Sequence, residues 1–186
     1  GTKQWTKQLG TSSDDQANGV ATDSSGNVFV AGYTYGGLDG NTNLGDVDPF
    51  VVKYNSVGAK QWTNQLGSSS SKSDYAFATA TDSSGNIFLT GSTKGNLDGN
   101  TNANDNCTYD LDNCNDIYLL KYNSSGTKQW TKQLGTSSDD FGYGVATDSS
   151  GNVYVTGYTN GGLDGNTNAG ASDLFVVKYN SSGTKQ

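Results

Sequence analysis

The sequence has no histidine, arginine, glutamate or methionine, and only one proline and two cysteines among 186 residues. Without histidine, neither a Ser-His-Asp triad nor a Cys-His pair can form, which excludes the common kinds of nucleophilic catalysis. All 18 acidic residues are aspartate, all 11 basic residues are lysine, and the net charge is −7. Because no basic stretch offsets this charge, a nucleic acid is an unsuitable partner.

Long apolar runs are also missing from the chain. No run approaches the roughly 20 residues that a membrane-spanning helix needs, and no charged-then-apolar targeting segment stands at the start. We therefore expect no membrane insertion. The chain begins with glycine rather than methionine, which suggests a processed or excised product.

The two cysteines, Cys107 and Cys114, flank a short polar segment. In a chain without histidine or any other thiol, this spacing favours a local disulfide over a metal pair. Its closure would contribute on the order of 2–3 kcal/mol to stability. An oxidising compartment follows, and we expect the protein to be secreted, either extracellular or at the cell surface.

The sequence contains three copies of one repeat unit. The phrase Gly-Thr-Lys-Gln-Trp, once with alanine for threonine, ends at Trp5, Trp62 and Trp130, and a fourth copy starts at residue 183. The intervals between the tryptophans are 57 and 68 residues, the longer one holding the cysteine insertion. Repeats of about this length are typical of propellers and solenoids.

Each unit contains four apolar or alternating runs separated by turn residues. In the third unit the runs begin with 143–147 and 152–157, joined by the turn Asp-Ser-Ser-Gly at 148–151, which suits a tight hairpin. The second and third runs are apolar on both faces, as at 28–31 and 50–52, so both sides of the sheet must be covered. Sheets stacked around an axis achieve this. We predict an all-β fold of β-propeller blades, each a four-stranded antiparallel sheet.

The predicted boundaries leave both ends of the array incomplete. Residues 1–10 form an outer strand that completes a blade, 11–67 form blade 1, 68–135 form blade 2 with the cysteine-containing insertion 103–115, and 136–186 form blade 3 without its outer strand. Propellers have about 4–8 blades, so the three blades of this chain need further blades to close a ring. If the chain is complete, we expect the first strand of the same or another chain to complete the last blade, giving a six-bladed dimer or a polymer. If the chain is a fragment, we expect the ring to close through sequence that is missing here.

The sequence of the repeat resembles that of the bacterial SBBP β-propeller family. The resemblance rests on Gly-Val-Ala-Thr-Asp-Ser-Ser-Gly-Asn-Val-Tyr-Val-Thr-Gly-Tyr-Thr at 144–159 and on Asp-x-Phe-Val-Val-Lys-Tyr-Asn at 173–180, and it extends over nearly the whole chain. It implies propeller blades of mostly secreted or surface proteins, most without an assigned activity. The Asp-Gly-Asn-Thr-Asn segments and the cysteine insertion depart from the family pattern.

A repeated Leu-Asp-Gly-Asn-Thr-Asn motif, followed in each unit by a further aspartate, predicts Ca²⁺ sites. Oxygen side chains at alternate positions suit this ion, although the spacing is not that of an EF-hand. The alternative is an Asx-rich loop whose side chains satisfy backbone groups. The candidate ligands are Asp39, Asn41, Asn43, Asp48, Asp98, Asn100, Asn102, Asp116, Asp164, Asn166, Asn168 and Asp173.

Two further repeated features have a structural and a functional interpretation. The pairs Asp14-Asp15 and Asp139-Asp140 offer the carboxylates of a glycosidase, but adjacent residues seldom converge and a repeated motif marks no unique site, which favours a turn at the crossover. Trp5, Trp62 and Trp130 could stack on sugars, but aromatic residues at a fixed repeat position favour packing between blades.

We therefore predict a non-enzymatic, extracellular structural or adhesive module without catalytic residues, whose partners are other copies of itself. The alternative is a lectin-like propeller that binds cell-surface glycans or small ligands. An aspartate-dependent hydrolase or lyase has the least support.

Overall fold

The computed structural model describes residues 1–68, 72–104 and 114–186, and within them the chain forms eleven strands in three antiparallel sheets. The first sheet contains β1 (Asp15–Thr22), β2 (Val28–Thr34), β3 (Asp48–Tyr54) and β4 (Lys60–Gln65). The second contains β5 (Asp74–Thr81), β6 (Ile87–Thr93), β7 (Asp116–Tyr122) and β8 (Lys128–Leu134). The third contains β9 (Asp140–Thr147), β10 (Val153–Thr159) and β11 (Asp173–Tyr179).

Each sheet is one blade, and its strands pair in chain order. The third blade has three strands, followed by a single bridge between Tyr179 and Lys185. The prediction of an all-β fold built from repeated propeller blades is thereby confirmed, and the blades do not close into a ring within the described chain. The helices of these residues are three short 3-10 turns, and none is long and apolar enough to cross a membrane.

The hairpin between the first two strands shows why the repeated turn residues fold as they do. Asp23 accepts backbone hydrogen bonds through its side chain from Ser25 at 3.0 Å and from Asn27 at 2.9 Å. Gly26 has a φ of +75°, which glycine adopts without steric cost. The same geometry recurs at Asp82 and at Asp148.

The core lies between the blades. We call the face of a blade toward the preceding blade its front and the opposite face its back. One buried cluster joins the back of blade 1 (Phe29, Ala31, Val51) to the front of blade 2 (Ile87, Leu89, Leu97, Tyr118, Leu120, Tyr122). A second joins the back of blade 2 (Phe88, Ile117, Leu119) to the front of blade 3 (Val153, Val155, Leu163, Phe175, Val177, Tyr179). This explains why the second and third strands are apolar on both faces.

The insertion of the second unit is described only in part. Cys114 is fully buried, whereas Cys107 lies outside the described residues, so the disulfide stays a prediction. Residues 1–10 have no strand partner and lie against the front of blade 1, where Leu9 packs on Leu38, Phe50, Val52 and Tyr54.

Candidate functional site

A tight turn follows the second strand of each blade, in the loop for which the sequence predicts calcium ligands. In blade 1 it consists of Leu38–Gly40, with a φ of 56° at Asp39 and 83° at Gly40. Asp98 and Asp164 have the same left-handed conformation. Aspartate tolerates this conformation better than most residues, because its short side chain can bond locally. The turn directs each of these carboxylates toward a lysine that follows the third strand of its own blade.

Each of these three carboxylates forms an ion pair with a lysine. The pairs are Asp39 with Lys60, Asp98 with Lys128, and Asp164 with Lys185. Hydrogen bonds from Lys60 and Thr63 lower the pKa of Asp39 below its ordinary value. Because the paired side chains are about one-third exposed, each pair contributes only about 0–1 kcal/mol.

The asparagines of the motif donate hydrogen bonds to backbone carbonyls. The first asparagine of each motif bonds the leucine that opens its turn, with Nδ2 to oxygen distances of 2.8 Å for Asn41, 2.9 Å for Asn100 and 2.8 Å for Asn166. The second asparagine bonds a more distant carbonyl: Asn43 to Gly45 at 2.7 Å, Asn102 to Cys114 at 3.0 Å and Asn168 to Thr159 at 3.5 Å.

The aspartate at the start of each third strand closes the loop. Asp48 accepts hydrogen bonds from the backbone of Leu44 at 2.7 Å and from Gln65 at 3.0 Å. Asp116 accepts from Ala103 at 2.8 Å, and Asp173 from Ala169 at 2.7 Å. All twelve predicted ligands therefore make hydrogen bonds within the protein. In the described ranges no three acidic or cysteine side chains converge as a metal centre, and the calcium sites stay a prediction.

The paired aspartates occur at the crossover between blades. Asp15 accepts hydrogen bonds from the Thr11 backbone and from Thr34 Oγ1, both at 2.5 Å. Asp140 accepts from the Thr136 backbone at 2.6 Å, and burial raises the pKa of its carboxyl. In blade 2, Asp74 has the same position and bonds Ser68 at 2.6 Å. In all three blades a carboxylate at this position thus accepts a hydrogen bond from the backbone of the crossover segment before the first strand.

Each tryptophan packs against a glycine in the third-to-fourth-strand turn of the blade that follows it. The pairs are Trp5 with Gly58, Trp62 with Gly126, and Trp130 with Gly183. All three glycines have a positive φ. Residues 1–10 therefore contact blade 1 as β4 contacts blade 2 and as β8 contacts blade 3.

Hydrogen bonds between blades repeat in the same way. Lys53 Nζ of blade 1 donates to the Ser124 carbonyl of blade 2 at 2.8 Å, and Lys121 Nζ of blade 2 donates to the Ser181 carbonyl of blade 3 at 3.0 Å. At the ends of the first strands, Thr81 Oγ1 donates to the Thr22 carbonyl and Thr147 Oγ1 to the Thr81 carbonyl, both at 2.8 Å. The two interfaces inside the chain therefore share one set of contacts.

The two ends of the array expose the halves of this same interface. On the back of blade 3, Leu174 and Val176 are 86% and 69% exposed. Their equivalents in blade 2, Ile117 and Leu119, are 2% and 1% exposed. The sequence does not show this difference, because the residues occupy identical places in the repeat.

At the other end, an apolar cleft of about 460 Å³ lies between residues 5–9 and the front of blade 1. Val28, Val30, Phe50 and Val52 line it. Their equivalents in blades 2 and 3 are covered by the back of the preceding blade. The sequence indicates that these strands are apolar on both faces and that the ends are incomplete, but it does not show which faces line a cleft.

Comparison with known proteins gives one family and two relatives. The family model SBBP, described as a beta-propeller repeat, matches residues 4–39, 61–98 and 129–164, which together make up more than half of the chain. The Uncharacterized WD repeat-containing protein L264 of Acanthamoeba polyphaga mimivirus is 25% identical over 210 residues, covering 95% of this chain and 15% of the relative. The Regulatory protein FlaEY of Caulobacter vibrioides is 27% identical over 174 residues, covering 89% of this chain and 18% of the relative. The chain thus spans less than one fifth of either relative.

Proposed function

Because the chain belongs to the SBBP family of β-propeller repeats, we propose that it is a non-enzymatic structural and adhesive module that joins further copies of itself through its two end faces. The observation that carries this proposal is the interface that repeats between successive blades, which covers the equivalents of Leu174 and Val176, whereas these two side chains are themselves exposed in the described chain. Exposed side chains of this size and type, placed next to each other, mark interaction surfaces.

The proposed contact between the two end faces is supported by the equivalent interface that the chain contains twice. The back of blade 3 corresponds to the backs of blades 1 and 2, and the front of blade 1 corresponds to the fronts of blades 2 and 3. A second copy that places Leu174 and Val176 in the cleft of blade 1 would repeat the packing found between successive blades of one chain. The contact is head-to-tail, so it closes into a ring or extends as a filament.

The repeated hydrogen bonds give the expected contacts between copies. Lys178 corresponds to Lys53 and Lys121, and Ser56 corresponds to Ser124 and Ser181. We expect Lys178 Nζ to donate to the Ser56 carbonyl of the next copy. Residues 5–9 of that copy then lie beside β11, in the position of an outer strand. Two copies supply six blades, within the usual range of about 4–8.

The absence of enzymatic activity is proposed from the roles of the acidic residues. The carboxylates of Asp15, Asp74 and Asp140 accept hydrogen bonds from the crossover segments, and those of Asp39, Asp98 and Asp164 pair with lysines. Equivalent groups have equivalent partners in each blade, which supports a structural role.

A location outside the cell is proposed from composition. The chain is rich in glycine and small polar residues, and its two cysteines are close in sequence, as in proteins of oxidising compartments. Antibody labelling of intact and permeabilised source cells tests this part of the proposal. Labelling only after permeabilisation would contradict it.

The association of copies is tested by measuring the mass of the wild type by light scattering over a range of concentrations, with electron microscopy of the same samples. We expect a dimer or a polymer, and we expect Val176→Asp to remain a single chain because it places a charge in the apolar contact. Leu44→Ala is the matched control, since Leu44 is 48% exposed and belongs to neither end face. A wild type that remains a single chain at every concentration contradicts the proposal.

A further inference from the structure

Seven aromatic rings form a continuous band across the three blades, which we call the aromatic stripe. It begins in blade 1, crosses the first strand of blade 2 and ends in blade 3. Its members are Tyr33, Tyr35, Tyr75, Phe77, Phe141, Tyr143 and Tyr158.

Neighbouring rings of the stripe are in contact along its whole length. Within blades 1 and 2 the centroid distances are 6.2 Å between Tyr35 and Tyr33 and 6.1 Å between Tyr75 and Phe77. Between blades they are 4.9 Å from Tyr33 to Tyr75 and 4.9 Å from Phe77 to Tyr143. Tyr158 then lies 5.8 Å from Tyr143. These separations are typical of interacting aromatic pairs.

The fold does not require aromatic residues at these positions. The first strand has Tyr75 and Phe77 in blade 2 and Phe141 and Tyr143 in blade 3, but blade 1 has Gln16 and Asn18 in the equivalent places. The second strand shows the reverse pattern, because blade 2 has Ser92 and Lys94 where blade 1 has Tyr33 and Tyr35. The repeats differ here, and yet the rings converge into one band.

The stripe is open to solvent and polar at its edge. Tyr35 and Tyr143 are 44% and 48% exposed, and the other five rings are half-buried. By contrast Tyr118, a tyrosine of the core, is fully buried. The Tyr33 hydroxyl donates to Gln16 at 2.5 Å, and Gln16 in turn donates to the exposed side chain of Asn18 at 3.1 Å.

The charged groups that act on rings of the stripe include the aspartates Asp14 and Asp139, and Lys94 stands in blade 2 where blade 1 has Tyr35. Partial burial raises the pKa of Tyr33, with smaller contributions from Tyr35 and from the Asp14 carboxylate. Partial burial likewise raises the pKa of Tyr158, with contributions from Tyr143 and the Asp139 carboxylate. An anionic ligand would meet these carboxylates, whereas a neutral ligand would not be repelled.

We propose that the aromatic stripe is a binding site for a neutral linear polysaccharide. A sugar ring has an apolar C–H face, which packs on an aromatic ring, and hydroxyl groups at its edge, which bond amides and phenols. Ligand sites commonly combine such aromatic surface with a few polar groups. A linear chain matches a stripe that runs across three blades. This is one extended surface, unlike the single pocket per blade of the lectin-like alternative.

Affinity electrophoresis tests the proposal, with hydroxyethylcellulose and arabinoxylan as neutral probes and alginate as the anionic comparison. We expect a neutral polysaccharide to retard the wild type and alginate not to. Tyr143→Ser should weaken binding about tenfold, which corresponds to about 1.4 kcal/mol. Tyr143→Phe keeps the ring and should bind within about twofold of the wild type.

Leu44→Ala is the matched control, because Leu44 has the exposure of Tyr143 but lies outside the stripe. It should bind like the wild type. Unchanged thermal unfolding of Tyr143→Ser separates loss of the ring from loss of the fold. The proposal is overturned if neither neutral probe retards the wild type, or if Tyr143→Ser and Leu44→Ala bind equally well. Association of copies is measured separately by mass, so either proposal can fail without the other.

Discussion

The indole ring of Trp62 lies against Gly126 in the following blade, so closely that a Cβ at position 126 would be 3.0 Å from two ring carbons. Gly126 also has a φ of +86°. The absence of a side chain at this glycine therefore serves both the turn and the packing between two blades.

We expect Gly126→Ala to lower the free energy of unfolding by about 2–4 kcal/mol, because it combines an unfavourable backbone conformation with overpacking. Gly40→Ala is the matched control. Gly40 has a φ of +83°, and a Cβ there would meet no atom within 4 Å, so its loss should be only about 1–2 kcal/mol. Urea unfolding measures both. Equal losses would show that the Trp62 contact contributes nothing.

The lysines of the third strands provide a second matched pair. Lys53 donates to Ser124 of the next blade at 2.8 Å and lies 5.4 Å from the Phe29 ring centroid. Lys53→Met should therefore lower the unfolding free energy by about 1 kcal/mol. Lys178 lies 5.6 Å from the Tyr154 ring centroid but has no carbonyl of a following blade to bond within the described chain, so Lys178→Met should lower the stability of a single chain by less than Lys53→Met and should weaken association of copies. Sedimentation and urea unfolding distinguish these effects; a reversed pattern would contradict the repeated interface.

Asp74 should make the free energy of unfolding depend on pH. Burial, with a smaller contribution from Asp48, raises the pKa of Asp74 in the folded protein, so the folded chain binds a proton more tightly than the unfolded chain. The stabilisation from this tighter proton binding is complete below about pH 3.9, the pKa of aspartate in the unfolded chain. It is lost as the pH rises through the pKa of Asp74 in the folded protein. We therefore expect the wild type to gain stability relative to Asp74→Asn as pH falls from 7 to about 4.

Asp148 should behave in the opposite way. Its side-chain and backbone hydrogen bonds with Asn152 lower its pKa to about 2. Its contribution is present above the unfolded pKa and is lost as pH falls through the folded value. The wild type should thus lose its advantage over Asp148→Asn between about pH 4 and 2. Urea unfolding at each pH measures both variants, and trends of the same sign would count against the assignment.

The calcium prediction can be tested through Lys60. This lysine pairs with the Asp39 carboxylate, so Lys60→Gln leaves that oxygen free for a cation. We expect Ca²⁺ to bind Lys60→Gln more tightly than the wild type, as measured by calorimetry on chelator-treated protein. Mg²⁺, which demands stricter octahedral geometry, is the comparison. No heat of Ca²⁺ binding with either protein would rule out this loop as a site.

Local features of the fold could be predicted from the repeated sequence motifs. The turn at Asp23 to Gly26 requires a carboxylate that bonds its own backbone and a glycine with positive φ, and both requirements are visible in sequence. The two-faced apolar strands indicated stacked sheets. The candidate site was harder to predict from the sequence. The motif at Asp39 predicted a loop of oxygen ligands, but the ion pair with Lys60 depends on an outer strand whose lysine is 21 residues away.

The sequence by itself determined the number of blades in the chain, their strand order and their turns, because these depend on short-range hydrogen bonds and on the alternation of apolar residues. Only the tertiary structure decided which apolar residues are covered. Ile117 and Leu174 occupy the same place in the repeat, yet one is buried and the other exposed, since burial depends on whether another blade follows. The aromatic stripe likewise exists only in three dimensions, because its rings come from different positions of successive repeats.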